Sequence, residues 1–293
     1  MKKRRKIWIG IGAFIVAGGA GSPSLPEAAA KDQHAGPADT RGYTGMSTAT
    51  RQRIMGQAMT VGQGGEGGEG GEGGEAGIDA EAAATDPVAY GVALQVIAAH
   101  FHAGLVAYEG NEQEAGAQMF AHGLSEVYVE MEGVFKARGV TDLGRKLEAA
   151  VNAAVEKKPG AEVRRRADAV FAALAAAERK GPASKAPVEA VRAQVAAEMI
   201  DRAAAQYAVV QKDNELEAYL DGLGFAMAAR DQAKTALPYL RKLDPKKATA
   251  VANALHLTEQ AYPGIRRPET PKVSLSDLQS AASAAKLAVS SLP

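Results

Sequence analysis

The chain has 293 residues, a formal net charge of zero and no cysteine. Without cysteine there can be no disulfide, thiol nucleophile, iron–sulfur cluster or thioether-attached haem. The charge balance also lacks the basic excess that nucleic-acid binding requires.

The chain opens MKKRRKIWIGIGAFIVAGGAGSPSLPEAAAKDQ. Five basic residues precede an apolar run from Ile7 to Ala20, and Ala28-Ala29-Ala30 supplies the small residues that signal peptidase reads. This predicts a secretory signal peptide over residues 1–30. The apolar run has 14 residues, short of the roughly 20 that span a bilayer core. No Cys follows it to take a lipid. Arg4-Arg5 sits in a poor context for the twin-arginine route, so either export route fits. Cleavage before Lys31 leaves 29 basic and 33 acidic residues, a net charge of −4, and removes the only tryptophan, Trp8. The expected product is soluble and periplasmic, with no further segment read as a membrane span.

Residues 31–85 are read as a disordered, Gly/Glu-rich linker. Its centre, GGEGGEGGEGGEAG at residues 64–77, carries Glu66, Glu69, Glu72 and Glu75 in period three. Glycine at this density resists ordering, because fixing it costs the most backbone entropy. Without proline it is no collagen helix. A flexible, mildly acidic tether is the expectation.

From Asp86 the texture becomes helical. Asp86 and Pro87 read as an N-cap and first helical position. Tyr90, Leu94, Ile97, Phe101, Leu105 and Tyr108 then recur at helical spacing. A short helix with Ala115, Met119 and Phe120 follows, and Gly123 is expected to interrupt it. Leu124, Val127, Tyr128, Met131, Val134 and Phe135 mark the next helix. Two more follow, around Leu143–Val151 and Val163–Leu174, before a break at Gly181-Pro182. Pro187 opens a long helix through Val210, and another runs from Leu216 to Met227. Pro238 is expected to bend or restart the chain. Pro245 opens a helix through Leu255, YPGIRRPETPKV reads as irregular, and Ser274-Leu-Ser-Asp277 reads as a capping box for the last helix. The fold class is all-α: a multi-helix bundle or stacked helical hairpins. Two halves, 86–181 and 185–293, are either separate or one continuous helical domain.

Candidate ligands are few. His34 lies in the linker, and His256 stands alone on a late helix. His100 sits beside Ala93, Gly104 and Ala107 on its helix, where small residues let a neighbour approach. His102 points elsewhere, because residues two apart do not share a helix face. In MFAHGLSEVYVEM, His122 and Glu126 are four apart and Glu130 follows by four more. These three fall away from the apolar stripe. They are ordinary surface unless another helix, such as the one carrying His100, covers them. Covered, His100, His122, Glu126 and Glu130 offer imidazole and carboxylate ligands suited to zinc or iron, with copper a further candidate. Arg164-Arg165-Arg166 point in different directions on a helix and read as a solvated face.

AHFHAGLVAYEGNEQEAGAQMFAHGLSEVYVEMEGVFKARG resembles segments of exported α-helical proteins of proteobacteria. These include periplasmic segments beside or fused to bacterial iron-permease membrane domains. Ala99-His100-Phe101 matches their Gly-His-Leu at the histidine. His122, Glu126 and Tyr128 match their His-Pro-x-Glu-Glu-x-Tyr, with Gly123 for the proline and Ser125 for the first glutamate. QYAVVQKDNELEAYLDGLGFAMAA and the Gly/Glu arm also fit. The resemblance implies a periplasmic helical protein linked to iron handling, with a membrane permease or another periplasmic protein as partner.

The expected function is therefore an exported accessory protein that binds metal and serves uptake of iron or another metal. The alternative is a metal-free interaction scaffold of stacked helix pairs, although no repeat near 34 residues is present. No enzymatic function is expected, since the chain carries no phosphate loop, nucleotide fingerprint, Gly-x-Ser-x-Gly elbow or His-Glu-x-x-His motif.

Overall fold

A computed structural model describes residues 77–212 and 216–293. The expected signal peptide and most of the expected linker lie outside the described residues. The described part is an all-α multi-helix bundle without strands. Its helices are α1 (Ala80–Thr85), α2 (Pro87–Glu109), α3 (Gln113–His122), a π-helical segment (Gly123–Tyr128), α4 (Val129–Ala137), α5 (Leu143–Val155), α6 (Gly160–Glu178), α7 (Val188–Val210), α8 (Leu216–Leu243), α9 (Pro245–Ala261) and α10 (Leu275–Val289).

The helix starts follow local chemistry. Asp86 accepts from the Val88 and Ala89 amides with Pro87 at the first turn, and Asp244 caps Pro245 in the same way through Lys246. Ser274 accepts from the Asp277 amide at 3.1 Å and opens α10. Each cap satisfies an amide that the helix itself leaves without a partner.

α2 is the central helix. It packs against α1, α3, α6, α7, α8 and the π segment. The predicted stripe from Tyr90 to Tyr108 is buried, and so are Ala93, Ala99, Ala103 and Ala107 on its other faces. Alanine and glycine let the neighbours come close. A Cβ on Gly116 of α3 would lie 2.6 Å from the Gly104 carbonyl oxygen, and one on Gly224 of α8 would lie 2.3 Å from that of Ala99. One hydrophobic core draws on both 86–181 and 185–293.

Four expectations change. Residues 80–85, read as linker, form α1, capped by Asp79 and anchored by buried Ile78 and Ala83. Gly123 does end α3, yet the chain winds on through the π segment into α4 rather than breaking there. α8 continues through Pro238 to Leu243, so Pro238 starts no new turn. Finally, α2 is long and apolar enough to cross a membrane, with mean hydropathy 1.4 over its most apolar window. That window is 72% buried inside the bundle, so its apolar surface is used in the core.

Three tyrosines tie the irregular segment after α9 to the bundle. Tyr219 donates to the Gly264 carbonyl at 2.7 Å, Tyr207 to that of Val273 at 2.9 Å, and Tyr262 to that of Ala203 at 2.9 Å. Tyr219 and Tyr262 pack ring against ring at 5.3 Å. These contacts hold the stretch of α8 that carries Glu217 and Asp221.

Candidate metal centre

The candidate centre forms where α2, the α3–π junction and α8 meet. His100 projects from α2, His122 ends α3, and Glu126 lies in the π segment. Each of these three offers a ligand atom, and the atoms all lie within 4.8 Å of one another. The imidazoles sit edge to face, with ring centroids 6.0 Å apart. His122 Nδ1 lies 3.6 Å from Glu126 Oε1 and 3.6 Å from Glu217 Oε1. Gln118 donates to the other Glu217 oxygen at 2.9 Å and steadies it.

The π segment makes this meeting geometrically available. π turns replace i→i+4 with i→i+5 bonding and recur at functional sites. At its start, the Cβ position of Gly123 lies 3.3 Å from both His100 Cβ and the Phe101 ring. A Cβ there would require its neighbours to give by a few tenths of an ångström.

His100 and Asp221 form the innermost pair. His100 Nε2 lies 3.5 Å from Asp221 Oδ1, longer than a good hydrogen bond. His100 is 5% exposed. Its Nδ1 and the Asp221 Oδ1 are buried without a hydrogen bond of good geometry; the Val96 backbone, one turn back on α2, offers His100 only a contact too poorly aligned to count as one. Each orphaned atom costs about 1–3 kcal/mol. Burial, then the neighbouring His122, pushes the His100 pKa down to about 3. Burial, then Glu217 and Glu126, pushes that of Asp221 up to about 8. At neutral pH the pair is therefore uncharged. Beside it lies a cavity of about 180 Å³, lined by Val96, His100, Glu126, Arg202, Asp221 and Phe225.

The structure brings together three of the four predicted ligands, His100, His122 and Glu126. Glu130 is exposed on α4 and lies outside this group. The α-helical count that set Glu130 one turn beyond Glu126 fails across a π turn, which takes up an extra residue. From α8, Asp221 instead approaches His100 and Glu217 approaches His122. Sequence reading missed these two. Their only local signal was i,i+4 spacing in LEAYLDGLGF, which marks a shared face and not its neighbour.

The remaining histidines separate as their positions predict. His102 stacks on Phe171 at 4.5 Å and lies 3.2 Å from Asp231. His256 is exposed beside Gln260, and His34 lies outside the described residues. The basic triplet is a paired face, with Arg164 bound to Glu109 and both Arg165 and Arg166 beside Glu162.

Donors of this kind suit a borderline transition metal. Imidazole nitrogen and carboxylate oxygen are the ligand types of zinc and non-haem iron. No family model matches the chain, and no curated protein or solved structure matches it.

Proposed function

We propose that this is an exported, periplasmic helical accessory protein that binds a transition-metal ion and serves metal uptake. The observation that carries the reading is the convergence of His100, His122 and Glu126 within reach of one ion. The buried Nδ1 of His100 itself, without a hydrogen bond of good geometry, adds support, since a bound ion is one of the roles that account for such an atom. The amino-terminal segment supports export. The resemblance of the His100 and His122 segments to iron-permease-associated proteins favours iron as cargo and a membrane permease or another periplasmic protein as partner.

The test is the metal content of the processed chain, residues 31–293, exported and purified without a histidine tag, beside His122→Ala. About one equivalent of iron, zinc or copper is expected by analogy with single-ion N/O sites, and its loss in the variant. No bound metal, and no uptake on titration, would overturn the reading.

A further inference from the structure

Asp221 stands outside the trio that defines the candidate centre, yet it is the residue whose state the fold explains least. Its Oδ1 is buried without a hydrogen-bond partner and faces His100 Nε2 at 3.5 Å. His100 is itself 5% exposed, with its other nitrogen equally without a partner. The same carboxylate lines the cavity that His100 and Glu126 border. Packing offers no reason for a carboxylate here, because a helix crossing that admits Gly224 against the Ala99 carbonyl is built from small apolar residues. Nearby Tyr207, Tyr219 and Tyr262 all spend their hydroxyls on backbone carbonyls, so the surroundings otherwise satisfy their polar atoms. Asp221 and His100 are the exception, and they face one another beside His122 and Glu126.

We propose that Asp221 is a fourth metal ligand, closing a two-imidazole, two-carboxylate set with His100, His122 and Glu126, and that this set takes a divalent ion such as Fe(II) or Zn(II) over monovalent copper. This deepens the metal-binding reading and rests on it. Charge selects the ion. Two neutral imidazoles and two carboxylates offset a dication, and the neighbouring charges of Glu217 and Arg202 offset one another. A buried site leaves no excess charge unpaired without cost. A monovalent ion would leave the complex anionic. The ligand atoms are nitrogen and oxygen, with no thiolate or thioether among them, which further disfavours Cu(I). The cavity on the Arg202 side of Asp221 leaves room for an exchangeable position, as suits a cargo ion.

The experiment titrates the metal-free processed chain anaerobically with Fe(II), Zn(II) and Cu(I), using wild type, Asp221→Asn, His122→Ala and Glu130→Gln. Asp221→Asn is expected to weaken Fe(II) and Zn(II) binding by at least about 10- to 100-fold, the range that even outer-sphere changes reach. Glu130→Gln should bind as wild type. Asp221→Asn should also melt no lower than wild type without metal, which separates ligand loss from unfolding. Asp221→Glu keeps a carboxylate and should retain Co(II) with altered visible bands. Unchanged affinity in Asp221→Asn, or unchanged Co(II) bands in Asp221→Glu, would remove Asp221 from the set while the metal reading stood. Tighter Cu(I) than Zn(II) binding would overturn the divalent assignment. A wild type that binds none of these ions would overturn both readings.

Discussion

Helix α2 carries two histidines two residues apart, each facing an aspartate of α8, and the two pairs are opposites. His102 and Asp231 approach to 3.2 Å, the ring stacks on Phe171, and Lys234 binds the same carboxylate at 2.7 Å. Although burial raises the Asp231 pKa, His102 and Lys234 pull it down to about 2. That pair is complete within the protein. His100 and Asp221 sit at 3.5 Å with two orphaned buried atoms, and their surroundings favour the neutral form of each. The same residue types at the same pair of helices thus give a satisfied surface contact on one face and a buried pair with unpartnered atoms on the other. What differs is the neighbour. One face meets a lysine and an aromatic ring near solvent, and the other meets carboxylates and an imidazole in the interior.

The comparison can be broken most directly by removing each histidine. His100→Ala should reduce metal affinity by about 100-fold or more, whereas His102→Ala should leave it within about 3-fold of wild type, the scatter usual for changes outside a site. Equal losses in both, read by calorimetric titration, would show that the two faces act through general stability.

Next comes the crossing that brings Asp221 to His100. Gly224→Ala drives a Cβ against the Ala99 carbonyl. It should cost about 1–3 kcal/mol in chemical denaturation, the usual range for overpacking, and should weaken metal binding with it. Retained affinity in a destabilised Gly224→Ala protein would uncouple the site from the α2–α8 contact.

The pH dependence sharpens the contrast further. A folded Asp221 that keeps its proton up to about pH 8 has a raised pKa. Stability is then greatest below the unfolded carboxylate value and declines as pH rises toward 8. His100, depressed to about 3, works in reverse and loses stability as pH falls from the ordinary imidazole range. Between about 4 and 6.5 the two slopes oppose. Above that window only Asp221 acts, so the metal-free protein should lose about 1–2 kcal/mol from pH 6.5 to 8. Asp221→Asn should abolish that slope, as followed by urea midpoints in chelator. Asp231, with its depressed pKa, contributes stability above the unfolded carboxylate value, and that is lost as pH falls toward 2. A flat profile between pH 6.5 and 8 in wild type would remove the contrast.

The smallest effects lie at the exposed ends. Asp231→Asn loses a partly exposed pair and should cost less than about 1 kcal/mol. Glu130→Gln should change stability by under about 0.5 kcal/mol and leave metal binding intact. A metal defect in Glu130→Gln would restore it to the site.

Much of the fold was legible in the chain. Asp86-Pro87, Asp244-Pro245 and Ser274 announce helix starts because capping is local chemistry within three residues. The stripe from Tyr90 to Tyr108 announces a buried face because helical period converts spacing into direction. The same rule pointed to His100, His122 and Glu126. It did not carry Glu130 into the same group, because a π turn intervenes and shifts the register. At Pro238, where a bend or a new turn was expected, α8 starts no new turn and continues to Leu243 packed against neighbouring helices.

By itself, then, the sequence determined an all-helical body, its helix starts, the absence of cysteine chemistry and three residues worth watching. Those properties depend on contacts a few positions apart. Tertiary structure alone decided that α8 would lay Asp221 and Glu217 against His100 and His122. About 95 to 120 residues separate these partners. No local periodicity encodes which faces will meet, because that choice is made by how whole helices pack.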